Sequence, residues 1–411
     1  MGTDSLATEQ RSLADPEVRY PLWPPLTRGC PRTSSPDVSY PVEVDYDYAR
    51  VPEDFLRTPA PGGGHSGTGL DRWAPLLPPL AAPGLGEGGT PLVRLADGVY
   101  VKDESRNPTW SHKDRLNRCT VSAALGVGAP GVVVASSGNH GASAAAYAAR
   151  AGLRCVVLGS PTPPPAMRSF LMAYGAEVLP VPTADRWPLT ERIAEEFGFH
   201  PVSNLTRFHT GHAFGAEGYK TVAYEIVADL GVPGAVFVPT GYGELLFGVW
   251  KGFAELRRLG LTRRVPRLFS CEPAAGGPLA AALRDGLHTT AVEVGATDAY
   301  GIECPVNSYR GLVAVTRSGG RALLPDDAAM RGAQAELAGQ GLWVELSAAA
   351  GLAGLRTLPT TETVDGPVVC VATSSGFKDK GTGTGSYAEA DPSWAAVRDR
   401  LLAAGMEPAR R

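Results

Sequence analysis

Asn107-Pro108-Thr109-Trp110-Ser111-His112-Lys113-Asp114-Arg115 stands shortly before an apolar run, Gly131-Val132-Val133-Val134-Ala135, which empties into Ser136-Ser137-Gly138-Asn139-His140-Gly141. A β-branched run of this kind reads as a buried strand, and the small polar residues after it as a strand-to-helix turn. The arrangement recurs twice. Gly234-Ala235-Val236-Phe237-Val238 ends in Pro239-Thr240-Gly241-Tyr242-Gly243-Glu244-Leu245, and Gly366-Pro367-Val368-Val369-Cys370-Val371-Ala372 ends in Thr373-Ser374-Ser375-Gly376. Between these runs, short β-branched stretches at 154–158 and 177–181 alternate with Ala-rich helical stretches near 141–151 and 166–174, and a further helix is expected near 244–259. Such β-α alternation argues for parallel sheets covered on both faces, with a site at the strand C-termini.

With 411 residues the chain can bury a full core and build two domains. Apolar residues make up 44% and charged residues 19%, as in a soluble globular enzyme. A net charge of -4 gives no basic face for nucleic acid. The six cysteines, Cys30, Cys119, Cys155, Cys271, Cys304 and Cys370, form no CxxC pair, so neither a metal site nor a disulfide framework is expected. The N-terminus lacks the features of a signal peptide, and no apolar stretch approaches membrane-spanning length, so a cytoplasmic protein is expected. Pro61-Gly62-Gly63-Gly64-His65-Ser66-Gly67 reads as a linker, and 381–385 as a glycine loop without the preceding strand that a dinucleotide fingerprint needs.

One lysine and three strand-end loops are the parts needed to hold pyridoxal 5'-phosphate. Lys113 would form the Schiff base, then act as a base once released; a surface lysine beside Asp114 and Arg115 is the plain alternative. Ser136, Ser137, Gly138, Asn139 and His140 would bind a substrate carboxylate at a helix N-terminus, or would serve only as its cap. Gly241, Tyr242, Gly243, Glu244 and Leu245 would let N–H groups converge on the phosphate, or would be a bare turn. Glu244 is a conflict there, relieved if its side chain points away. Ser375-Gly376-Phe377-Lys378 matches an SxxK signature without its partner motifs and is set aside.

Taken together, these stretches resemble the threonine synthase and serine/threonine dehydratase family of pyridoxal-phosphate enzymes. The likeness begins at Leu85-Gly86-Glu87-Gly88-Gly89-Thr90-Pro91-Leu92 and continues through Val101-Lys102-Asp103-Glu104-Ser105 to Lys378. It implies an α/β fold of two open twisted sheets with helices on both faces, the tryptophan synthase beta-like fold, with cofactor between a large and a small domain. The implied divisions are an N-terminal extension over 1–60, a large domain over 61–125 and 215–411, and a small domain over 126–214. It places Asn139 on the cofactor's phenolic oxygen and Thr373 on the pyridine nitrogen, with Ser374 the runner-up. Lys102 and Glu104 are expected in structural ion pairs. Asn204, Glu217, Gly218, Lys220 and Thr221 resemble a synthase segment; Arg207, Lys220 and Arg310 could meet an anionic group but read more simply as surface or paired charges. The N-terminal 1–60 resembles a ribbon in which cysteines can hold zinc, but only Cys30 stands here, so no metal is expected. The implied activity is threonine synthase-like, on a small amino-acid substrate. The alternatives are β-elimination or β-replacement on serine, threonine, O-phosphoserine or diaminopropionate, and a catalytically silent regulatory protein. His112, Leu116 and His140 depart from the synthase pattern. The oligomeric state is left open, with a homodimer the candidate.

Overall fold

The computed structural model describes residues 4–57, 69–95, 98–359, 361–380 and 389–407; the glycine stretches 61–67 and 381–385 lie outside the described residues. The strands fall into three sheets. β1 (Ala7–Ser12), β2 (Arg19–Pro21) and β3 (Val42–Tyr46) pair antiparallel in the order β2-β1-β3. The largest sheet holds β4 (Leu92–Arg94), β5 (Val99–Asp103), and, after the small sheet, β10 (Ala235–Pro239), β11 (Arg267–Cys271), β12 (Arg321–Leu323) and β13 (Val368–Ala372). Its order is β12-β11-β10-β13-β5-β4, parallel except for the β4–β5 edge pair. The third sheet is parallel, β8-β7-β6-β9, from β6 (Gly131–Val134), β7 (Arg154–Gly159), β8 (Glu177–Pro180) and β9 (His200–Pro201).

The three strongest apolar runs of the sequence are thus β6, β10 and β13. Alternate residues of a strand face opposite sides of its sheet. Ala235, Phe237, Cys370 and Ala372 accordingly pack into one core cluster, and Val236, Val238, Val369 and Val371 into another. Both faces are buried, which is why these runs read as continuously apolar rather than alternating. Truncating Phe237 to Ala would cost about 3–5 kcal/mol at such a position.

The N-terminal sheet is the main addition to what periodicity suggested. β3 packs Val42, Val44 and Tyr46 against Cys119, Ala123, Phe214 and Tyr224. Its backbone is claimed by buried cations: Lys251 Nζ donates to the Val44 carbonyl at 2.6 Å, and Arg310 donates to that of Val42 at 2.7 Å. Cys30 is buried and meets the Tyr20 hydroxyl at 3.3 Å. Residues up to Asp379 make one compact unit and those from Lys380 onward a second, which contains the helix Trp394–Ala403. Among the described residues no helix is long and apolar enough to cross a membrane.

Candidate active site

Lys113 opens the helix Lys113–Gly126. The segment before it is shaped by Trp110, a non-glycine residue with φ of +61°. That conformation is strained for a bulky side chain and is held by the far end of the chain. Ser375 N–H donates to the Trp110 carbonyl at 3.2 Å, and Ser111 bridges Ser374. His112 is bound to the Thr373 carbonyl twice, through its N–H at 3.0 Å and through Nδ1 at 3.1 Å. A carbonyl only accepts, so Nδ1 carries the proton and Nε2 of the neutral ring has the lone pair. Asp114 accepts from Thr109 and, at 2.6 Å, from Ser143 of the helix Asn139–Arg150; burial raises its carboxyl to about 6. Lys113 and the end of β13 are therefore tied together across some 260 residues of sequence.

Lys113 keeps part of its surface accessible, yet burial is the largest influence on its amine and lowers its pKa, with Glu244 and Cys304 opposing. His140, lowered to about 3, is shifted first by burial and then by the charge of Lys113; His209, lowered well below the usual histidine value, first by burial, then by Arg310 and then by Lys113. His140 Nε2, His209 Nδ1 and the Tyr219 hydroxyl are buried without hydrogen-bond partners among the described residues. Tyr219 presents its ring 5.7 Å from the Lys113 amine.

The helix behind β6 begins at Asn139, so Asn139 and His140 belong to its first turn rather than to the loop. A Cβ at Gly141 would lie 1.8 Å from the Ser136 carbonyl, so only glycine lets the loop fold back this tightly. Ser136 Oγ accepts from Gly138 N–H, and Ser137 Oγ from Ser160 N–H at 2.9 Å. After β10, Gly243 takes φ of +90°, and a Cβ there would meet Gly311 Cα at 2.9 Å. Gly241 is equally close to Cys304 Sγ. The helix Glu244–Arg258 starts at once, so its first-turn N–H groups have no intrahelical acceptor. Glu244 turns its carboxylate onto Arg310 at 3.1 Å. Tyr242 stacks on His209 with ring centroids 4.1 Å apart.

The remaining candidates separate into two groups. Asn139, Ser374 and Lys378 meet directly. Lys102 pairs with Glu225 at 2.7 Å and Glu104 with Arg115 at 2.7 Å. Lys220 is fully buried between Glu217 and Glu255, and Arg310 is 1% exposed, so both are internal pairs; Arg207 is exposed and lies over Phe208. Asn204 is buried and accepts the Thr210 N–H at 2.9 Å. Sequence reasoning missed Glu345, His209 and Cys304 and gave Lys378 no role. Each comes to the site through partners remote in sequence, and no local pattern marks them.

Residues 84–374 match the family model described as pyridoxal-phosphate dependent enzyme. The chain belongs to that family. Its cofactor is pyridoxal phosphate, and the residues present fit it: the Gly241 to Gly243 turn runs straight into a helix N-terminus whose first N–H groups lack intrahelical acceptors, and unpartnered polar atoms lie near a lysine of lowered pKa. The chain is 32% identical to the threonine synthase of Methanosarcina acetivorans, over 83% of this chain and 86% of that protein. It is 34% identical to the threonine synthase of Mycobacterium tuberculosis, over 76% of this chain and 86% of that protein. Among solved structures it resembles maize serine racemase, with a TM-score of 0.59 at 19% identity over 75% of this chain and 89% of that one. It also resembles the processed form of threonine deaminase isoform 2 from Solanum lycopersicum, with a TM-score of 0.56 at 19% identity over 77% of this chain and 83% of that one. These two likenesses establish the fold.

Proposed function

We propose that this enzyme is threonine synthase-like, converting O-phosphohomoserine and water to threonine and phosphate. The observation that carries the reading is the shared sequence with threonine synthases over three quarters or more of the chain, with Lys113 inside the matched region. When bound, pyridoxal phosphate supplies the electron sink that makes the substrate's carbon-bound protons acidic. Lys113 holds the cofactor and, once released, moves the Cα proton; its lowered pKa leaves more of the amine free to accept one. The N–H groups from Gly241 to Leu245 take the cofactor phosphate, with the dipole of the helix that starts at Glu244 adding to the attraction. Asn139 donates to the phenolic oxygen and Thr373 faces the ring nitrogen. Ser136, Ser137, Gly138, Asn139 and His140 receive the substrate carboxylate. The four-stranded sheet lies within the small domain, 126–214, the large sheet within 61–125 and 215–411, and the N-terminal sheet within the 1–60 extension. A cytoplasmic homodimer completes the reading, and sedimentation tests its assembly.

A second reading, β-elimination or β-replacement, is favoured by one observation: His140 places a neutral imidazole with an unpartnered Nε2 in the first turn behind β6. A substrate panel separates the two. Phosphate released with threonine supports the first; ammonia with a 2-oxo acid or, with an added nucleophile, a β-substituted amino acid supports the second; none of these products from any of the candidate substrates overturns both. Borohydride reduction of the yellow protein should fix the cofactor on the peptide containing Lys113; label on another lysine would sink the site assignment.

A further inference from the structure

The Asn139 carboxamide is held from three directions. Lys378 Nζ donates to its Oδ1 at 2.7 Å, Ser374 Oγ lies 3.1 Å from the same oxygen, and its Nδ2 donates to Glu345 Oε2 at 2.8 Å. The two ends of an asparagine side chain are nearly alike in shape, so packing alone seldom chooses between them. Charge chooses here. An ammonium only donates and a carboxylate only accepts, so the flipped carboxamide would set NH2 against Lys378 and oxygen against Glu345. One N–H of Asn139 is spent on Glu345, which leaves a single N–H of fixed direction.

The clamp is rigid. Lys378 is fully buried, bonds the Thr109 carbonyl as well, and has its own carbonyl bound by the Tyr300 hydroxyl at 2.6 Å. Glu345 is 1% exposed, and its N–H donates to the Ser374 carbonyl at 3.0 Å. Burying two opposite charges is least costly when they touch. In this protein the carboxamide of Asn139 stands between them instead, an arrangement that spends stability on orientation.

We propose that Lys378 and Glu345 are positioning residues, which aim the remaining Asn139 N–H at the phenolic oxygen of pyridoxal phosphate without touching the cofactor themselves. The inference rests on the reading that Asn139 meets that oxygen, and the test separates the two. The protein freed of cofactor is titrated with pyridoxal phosphate, followed by protein fluorescence and by the visible absorption band and its pH midpoint. Asn139→Ala, Lys378→Met and Glu345→Leu should each weaken binding about tenfold, the loss expected for a charge-fixed hydrogen bond. All three should move the pH midpoint in the same direction. Glu345→Gln keeps an acceptor for Nδ2 and should behave as the parent does. Parent-like affinity and midpoint in Lys378→Met and Glu345→Leu, beside a weakened Asn139→Ala, would overturn the clamp and spare the Asn139 reading. A parent-like Asn139→Ala would overturn both. Should Lys378→Met fail to fold, the Glu345 pair decides, because equal losses in the Leu and Gln variants would reduce Glu345 to a structural role.

Discussion

Lys113 and Arg115 are two residues apart on one helix and are treated in opposite ways. Arg115 is fully buried and saturated: it reaches Glu104 at 2.7 and 2.8 Å, Glu225 at 2.6 and 2.8 Å, Thr221 at 2.7 Å and Thr90 at 3.1 Å. Lys102 closes the cluster on Glu225 and the Thr90 carbonyl. Around Lys113, by contrast, His140, His209 and Tyr219 each leave a buried polar atom without a partner. Buried polar groups are ordinarily satisfied, because an unmet one costs about 1–3 kcal/mol. Arg115 is thus saturated as a charge that holds the fold, while the unpartnered atoms near Lys113 are what a bound ligand would be expected to satisfy.

The largest effect expected from this contrast is at Arg115. Arg115→Met strips the buried Glu104 carboxylate of its cation and leaves Glu225 only Lys102, and should cost about 3–5 kcal/mol or abolish folding. Lys113→Met removes a cation whose charged form is already disfavoured and should leave denaturant stability near the parent's, while ending covalent retention of the cofactor. Equal destabilisation of the two variants, measured by chemical denaturation of the cofactor-free proteins, would erase the distinction.

Acid should act next most strongly. His112, His140, His200, His209 and His212 all have lowered pKa values, caused first by burial. Below about 6.5 the unfolded chain binds protons at these sites while the folded protein does not. Their contribution is fully present above that value and is lost as pH falls toward the folded values, about 3 for His140 and about 4 for His200. Asp114 and Glu272, raised by burial to about 6 and about 7, oppose this, since the folded protein protonates them first. Asp379, also raised by burial to about 6, joins them, so five groups against three leave a net loss on acidification of up to about 1.4 kcal/mol per pH unit for each uncompensated histidine. Stability that holds level or rises from about pH 7 to about pH 5 would show that these rings are not kept neutral.

The glycine cradle comes third. Gly243→Asp must adopt φ of +90° with a side chain and press on Gly311, a strain of about 1–3 kcal/mol. It also sets a carboxylate where N–H groups converge, so cofactor affinity should fall further than turnover per bound cofactor. Unchanged affinity in a titration would reduce this segment to a turn.

This cradle was legible because its chemistry is local: a strand, two glycines and a helix start within ten residues. The strand-end loops at Ser136 and Thr373 were readable for the same reason, as were β6, β10 and β13, whose both-face burial writes itself as unbroken apolar runs. The saturated cluster was only half legible. Lys102 and Glu104 were expected to pair, but their partners Glu225 and Arg115 are set by the crossing of elements, 110 residues apart for Arg115 and Glu225. Glu345, Lys378 and His209 were opaque, because their partners are remote in sequence: Asn139 and Lys378, for example, lie 239 residues apart. The N-terminal sheet was hidden too, because β3 is placed by buried lysine and arginine side chains that from sequence look like surface charge.

The smallest effect gives the closest test of the contrast, because two tyrosines five residues apart fall on its two sides. Both Tyr219 and Tyr224 are fully buried. The Tyr224 hydroxyl donates to Glu255, which also holds Lys220 and Tyr48, whereas the Tyr219 hydroxyl has no partner among the described residues. The same chemical change, loss of one oxygen, should then have opposite signs. Tyr224→Phe removes a hydrogen bond to a charged acceptor and should cost about 1.5–3 kcal/mol. Tyr219→Phe removes a desolvated, unbonded oxygen and should be neutral or stabilising by about 1 kcal/mol. The functional readout should invert: turnover should fall in Tyr219→Phe, whose ring stands 5.7 Å from the Lys113 amine, and hold in Tyr224→Phe once folded protein is counted. Two variants with the same loss of stability would mean that the Tyr219 hydroxyl is satisfied by water, and that an unpartnered atom near Lys113 does not by itself mark the site.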